Sequence, residues 1–312
     1  MARGYSEIIA ELSKTSGSIS GGNSGMKDAY TSKDYNEALE LLKDKDVANP
    51  FFILMPGITD VSIQKLALDV SDYRGNDCRV ILDAPNTVDE QLIIDNVATI
   101  DSAWAECIAG WVVMNDMYRN REVEVPPTVL IGRALLDAQD KDQYGSTAGV
   151  NRGILKSAND IVYNFTDGQK IAMQSGRINP VIIKNGVPMV YNNMTLIRKN
   201  SVYADTNTVN VNCALKKAVL ASTESFLFEG NRRGTWDRWL TTVTPILESV
   251  KKENGVYDFI VLMGEKEGTI SPTDIDTGYM PGIIKFKPTR EAKWIPITFN
   301  AYSYGVDFNE SF

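Results

Sequence analysis

Apolar residues along this chain switch between a period near 3.6 and a period of two, and each switch marks an element. Asp34 is placed to cap a helix that carries Tyr35, Ala38, Leu39 and Leu42 on one side. The apolar run at 51–55 suits a buried strand, which Pro56-Gly57 ends. Val61, Leu66, Leu68, Val70 and Tyr73 return to helical spacing. Residues 79–82 predict a second strand, 88–97 a helix and 110–114 a third strand. Pro126-Pro127 opens a helix through Leu130, Ala134 and Leu135, because proline is tolerated in the first helical turn. This alternation of strand and helix predicts an α/β (α+β) fold, a mixed sheet flanked by helices.

The stretch 138–210 is rich in Asn, Gly, Asp and Ser. Within it, strands at 181–184 and 187–191 flank Asn185-Gly186, a hairpin signal because both residues tolerate positive φ. A helix is predicted over 211–222, leading to Phe226, Leu227 and Phe228. After Gly234, the residues Trp236, Trp239, Leu240, Val243, Leu247 and Val250 fall on one stripe of a long amphipathic helix. Pro245 is expected to kink it and Asn254-Gly255 to stop it. Phe228, Trp236 and Trp239 are read as core anchors, given the area that buried aromatic rings contribute. A strand at 256–263 follows.

The closing segment predicts two short strands, at 279–288 and 294–302, joined by a polar break at 288–293. In the second strand Ile295, Ile297, Phe299 and Ala301 share one face, between Trp294 and Tyr302. Pro296 has no N–H to give a ladder, so one edge is free there. An apolar strand with a free edge is either the rim of a sheet or a strand lent to another molecule.

Composition narrows the chemistry. The chain has 312 residues, enough for one to three domains, and residues 15–33 read as a flexible connector rich in Ser, Gly, Thr and Asn. A net charge of −8 argues against a broad nucleic-acid surface, and no apolar run reaches the roughly 18 residues of a membrane span. Cys78, Cys107 and Cys213 are far apart, which predicts buried thiols and no disulfide scaffold. The chain contains no histidine, so Ser-His-Asp and Cys-His systems, two-His zinc motifs and imidazole bases are all excluded.

What remains for catalysis is chemistry by carboxylates, lysine or Mg²⁺. The turn 56–60 lies where nucleotide-binding folds place a phosphate loop, but it has one glycine and no Lys-Ser/Thr pair, so a plain strand-to-helix turn is the better reading. Asp83, with Asp60 or Asp101, could hold Mg²⁺; the competing reading is ordinary turn and cap carboxylates. The basic pairs Lys216-Lys217, Arg232-Arg233 and Lys251-Lys252 read as solvated helix ends or as a contact for an acidic partner surface.

Five blocks, taken in order, resemble the tail sheath protein family of contractile bacteriophages, whose relatives include the sheaths of R-type bacteriocins and type VI secretion. Residues 125–137, with Pro126-Pro127, Gly132 and Asp137, are similar to a family helix start. Residues 148–153, Ala148-Gly149-Val150-Asn151-Arg152-Gly153, resemble its Pro-Ala-Gly…Arg-Gly loop. Asn179-Pro180 with 186–196 resembles its hairpin. Phe226-Leu227-Phe228-Glu229-Gly230-Asn231, five residues before Trp236, resembles its Phe-Glu block. Residues 278–299, with Pro288, Glu291 and Trp294, resemble its closing segment. The chain departs from the pattern in showing Asn210-Val211-Asn212 for paired arginines and Tyr191-Asn192 for Trp-Gly in the hairpin. The family's opening Pro-Gly-Val-Tyr strand is missing, so Met1 is expected not to mark the complete natural start, or an N-terminal region to be absent.

The resemblance implies a structural protein and not an enzyme, with no cofactor and no metal. Such subunits stack as hexameric rings around an inner tube, lend terminal strands to neighbours, and contract to drive the tube through the host envelope. Implied partners are other copies, the tail tube, baseplate and tail terminator proteins, with neither nucleic acid nor membrane; the implied location is the virion tail, assembled in host cytoplasm. On this reading residues 1–33 form an N-terminal segment and connector, 34–290 the sheath core, and 291–312 a C-terminal strand arm extended to a neighbouring subunit, with 288–293 as its hinge. Lys251, Lys252 and Glu253 are the tube-facing candidates. The alternative is a Mg²⁺-dependent α/β enzyme acting on a phosphorylated substrate through Asp60 and Asp83.

Overall fold

The computed structural model describes residues 31–292. The connector before them and the strand 294–302, with Trp294, Ile295, Ile297, Phe299, Ala301 and Tyr302, lie outside the described residues.

A five-stranded sheet, in the order β1-β2-β3-β7-β8, carries the first half of the fold. Its strands are β1 (Phe52–Met55), β2 (Arg79–Asp83), β3 (Ala105–Ala109), β7 (Asn179–Lys184) and β8 (Val187–Val190). The first four run parallel and β8 returns antiparallel. That return is the Asn185-Gly186 hairpin, with φ of 54° and 75° at its two central residues. Period-two alternation sorts side chains to the two faces. Ile53, Met55, Val80 and Leu82 pack with helices α1 (Ser32–Glu40), α2 (Val61–Tyr73), α3 (Glu90–Asn96) and α6 (Asp167–Ser175). Phe52, Leu54 and Ile81 pack on the other face with helix α4 (Thr128–Lys141). A small antiparallel sheet, β5-β4-β6, covers that face too, built from β4 (Val112–Asp116), β5 (Arg121–Val125) and β6 (Asp160–Ile161). The short helix α5 (Gly149–Arg152) follows α4.

The third strand of the large sheet is therefore 105–109, whereas the apolar run expected to supply it belongs to β4 in the small sheet. Glu106 hides β3 from an apolar reading. Its carboxylate is buried, accepts from Asn179 Nδ2 at 2.9 Å and pairs with the buried guanidinium of Arg79, which stacks on the Phe52 ring.

A second core joins helix α7 (Thr206–Thr223), helix α8 (Arg233–Lys252), helix α9 (Pro272–Thr277) and an antiparallel pair of strands, β9 (Val256–Leu262) and β10 (Ile283–Pro288). Trp236, Trp239, Val243, Leu247 and Val250 on α8 are buried there, as the stripe requires. Pro245 lies inside this helix, which the structure carries unbroken from Arg233 to Lys252. Asn254 takes φ of 61° and ends it. No helix among the described residues is long and apolar enough to cross a membrane.

Phe228 corrects the reading of three aromatic anchors. It is fully exposed, at φ of 66°, and Phe226 fills the core instead. The short 3₁₀ turn Glu224–Phe226 ends α7 and turns Phe226 inward. The left-handed backbone two residues later points Phe228 outward.

Candidate functional site

Where the chain leaves the second core, at residues 288–292, polar groups from distant segments converge on one carboxylate. Glu291 accepts from the Ser146 backbone N–H at 2.9 Å, from Ser146 Oγ, from Asn193 Nδ2 at 2.7 Å and from Arg152 Nη2. Arg152 in turn donates from Nη1 to Asp142 at 2.7 Å and from Nε to the Ser146 carbonyl at 3.0 Å. The guanidinium is thus fixed by two hydrogen bonds before it meets Glu291. These bonds are charge-assisted, the stronger kind.

The local sequence makes this possible. Asp142 caps the end of α4 and accepts from the N–H groups of Tyr144 and Gly145, which turns the chain sharply. A Cβ at Gly145 would lie 2.6 Å from Arg152 Nη1 and 2.7 Å from Asp142 Oδ2, so a larger residue there would push the ion pair away from the backbone. A Cβ at Gly153 would meet the Val190 carbonyl oxygen at 2.6 Å, so glycine also allows the chain after Arg152 to press on β8. Residues 153–155 run along the outer edge of β8 through Leu155 N–H to the Pro188 carbonyl and Val190 N–H to the Gly153 carbonyl.

Helix α7 supplies the other half of the anchor. Its first turns, Thr206 to Cys213, are buried although mostly polar. Asn207 Nδ2 donates to the Thr289 carbonyl at 2.6 Å, and Asn210 Nδ2 donates to the Gly145 carbonyl at 3.0 Å. Thr289 N–H reaches the Gly255 carbonyl at 3.1 Å. Thr289 and Glu291 are therefore both bound to the core. Both fall within the hinge expected at 288–293, so two of its residues are fastened. A cleft of about 520 Å³ opens beside the anchor, lined by Asp142, Ser146, Arg152, Asn193, Glu291 and Ala292.

The carboxylates nominated for metal chemistry do other work. Asp83 is fully buried; its oxygens face the N–H of Gly57 at 2.8 Å, the N–H of Thr128 at 3.2 Å and the Thr128 hydroxyl. It ties the β1–α2 turn to the start of α4, with three donors shared between its two oxygens. Burial raises its pKa to about 6 against these hydrogen bonds. Asp60 caps α2 through the N–H and hydroxyl of Ser62, which lower its pKa, and Asp101 accepts from Arg198 N–H at 2.8 Å. Among the described residues, no three His, Cys, Asp or Glu side chains group as a metal site. Cys78, Cys107 and Cys213 are buried and unpaired, and burial pushes the Cys213 thiol up to about 12.

One of the basic pairs is a tie within the fold: Lys216 donates to the Gly75 carbonyl at 2.7 Å, and Lys217 reaches Asn49 and Asp77. Arg233 lies 4.0 Å from Asp237 on the exposed face of α8. At the end of α8, Lys251 pairs with Asp258 at 2.9 Å, while Lys252 and Glu253 are exposed beside it.

Three of the five blocks quoted above meet at the anchor: Arg152 from the loop, Asn193 from the hairpin segment and Glu291 from the closing segment. Their convergence was not visible in the sequence. The available signal was the repeated asparagine at 207, 210 and 212, polar residues where a helix should bury its apolar stripe.

This fold, a mixed sheet with helices on both faces followed by a helix-backed strand pair, is similar to that of solved contractile sheath structures. A subunit of the anti-feeding prophage helical sheath, solved in its contracted state, superposes with a TM-score of 0.71. The match covers 88% of this chain and 76% of that one at 15% identity. By sequence the chain is similar to the tail sheath proteins of Vibrio phage KVP40, at 25% identity over 98% of this chain, and of Enterobacteria phage T4, at 24% over 94%. The resemblance to the contractile tail sheath family drawn from the sequence blocks thus holds over almost the whole chain. The chain spans about half the length of these curated relatives, 50% and 48% of them. No family model matches it.

Proposed function

We propose that this chain is a structural subunit of a contractile tail sheath, and not an enzyme. Copies stack as hexameric rings around a tail tube, joined by the strand 294–302 that each lends to a neighbour. The observation that carries this reading is the β9–β10 pair. Two strands alone are marginal in water. Among the described residues neither strand has a further partner, so both outer edges offer free N–H and C=O groups. Phe259, Val261, Ile284 and Phe286 face the core, whereas Ile260 and Ile283 are exposed on the outer face. Such a sheet is suited to receive strands from other copies.

Contraction on this reading draws on the difference between two packings of the same subunits, with the strand connections holding throughout. Lys251, Lys252 and Glu253 face the tube; baseplate and tail terminator proteins bound the two ends, and the subunits assemble in the host cytoplasm before entering the virion tail. Electron microscopy of the purified chain tests the proposal. Wide hollow cylinders or rings are expected; a protein that stays monomeric at high concentration, with or without tube protein, would overturn it. The reading of a Mg²⁺-dependent enzyme has no geometry in its favour, since Asp60 and Asp83 are each engaged by different backbone N–H donors.

A further inference from the structure

We infer that the Glu291 clamp is a positioning device for assembly: it fixes the place and direction of residues 289–292, which lead into the segment proposed above to join copies, and it is needed for joining copies more than for folding one. The inference rests on the sheath reading above and adds residues to it. Three observations carry it. First, the clamp draws Ser146, Arg152 and Asn193 from three separate segments onto one carboxylate at the last described turn of the chain. Second, Asn207 fastens the Thr289 carbonyl, so two residues on one short stretch are held from different sides, which sets a direction as well as a place. Third, the clamp is at the surface: the Arg152 and Glu291 side chains keep 23% and 22% of their surface exposed and line an open cleft. Groups in that situation contribute modestly to global stability but strongly to local order. For a donated strand, pre-set direction lowers the ordering cost of reaching a neighbour.

The chain carries its own probe, because trypsin sites at Arg290 and Lys293 flank Glu291. The experiment compares the full chain with Glu291→Gln, Arg152→Ala and the double variant, reading tryptic cleavage of the unassembled protein, thermal unfolding, and polymer formation by sedimentation. Cleavage at Arg290 is expected to rise about tenfold or more in each variant, as loss of hydrogen bonds to a charged group implies. The double variant should be no faster than the faster single one, since both break the same clamp. The main unfolding transition should move little while polymer falls sharply. Unchanged cleavage in Glu291→Gln would overturn the inference, as would polymer formation at the level of the parent chain. A parent chain that forms no polymer, but shows the cleavage difference, would count against the sheath reading while leaving the clamp in place. Should Arg152→Ala fail to fold, Ser146→Ala removes one donor and serves in its stead.

Discussion

Replacing Asp83 by asparagine should change how stability depends on pH. The buried carboxyl titrates near 6 in the folded chain, against an ordinary 3.8, because burial penalises its charge more than Thr128 and Gly57 stabilise it. A folded-state pKa above the unfolded one means the native chain holds this proton more tightly. The resulting stability is complete below the unfolded value and is lost as pH rises through the folded one. At about 1.4 kcal/mol per pH unit, the full span is worth about 3 kcal/mol, and the part between about pH 4.5 and 7 about 2 kcal/mol. Asparagine keeps the shape and has no proton to lose. Carboxylates whose pKa is lowered, among them Asp60, Asp137 and Asp274, act in the opposite direction but identically in both proteins. Urea unfolding of both proteins across that range isolates the Asp83 term. The advantage of the parent over the variant should shrink by about 2 kcal/mol from about pH 4.5 to 7. Parallel stability curves would refute the reasoning, as would an advantage that grows with pH.

Further outcomes follow from single positions. Phe228 loses no packing on substitution and sits in the left-handed region, so Phe228→Gly should raise stability by about 0.5–1 kcal/mol in thermal unfolding. Trp239→Ala should cost about 3–5 kcal/mol, since the ring is buried in the second core and its N–H is bound to Thr223 at 3.0 Å. Gly153→Ala forces a Cβ against backbone atoms of Val190 and Gly149 and should destabilise by about 1–3 kcal/mol. Reversing Lys251 and Lys252 to glutamate should lower co-sedimentation with tube protein. The monomer should lose no more than about 1 kcal/mol, the worth of an exposed pair such as Lys251–Asp258.

Much of the fold could be read from spacing and turn chemistry. The Asn185-Gly186 hairpin, the α8 stripe from Trp236 to Val250 and its stop at Asn254 each depend on neighbours in sequence, and local rules suffice for them. The readings that failed depend on distant partners. Glu106 disguises β3 because its cation, Arg79, lies on another strand. Phe226 and Phe228 are alike as residues, and only the chain direction after α7 decides which one is buried. Lys216 and Lys217 look solvated until Gly75, Asn49 and Asp77 are brought beside them. The anchor was the least legible feature. Its members are spread from Asp142 to Glu291, and the buried asparagines of α7 make sense only once the Gly145 and Thr289 carbonyls lie against them.

Strand donation between copies is tested most directly by deleting residues 293–312 and following assembly and folding together. Sedimentation velocity should find the full chain in large polymers and the truncated chain as monomer, with the same thermal unfolding midpoint for the 31–292 core. Polymers that persist after truncation would contradict strand donation, and so would a truncated chain that no longer folds, since the strand would then belong to its own core.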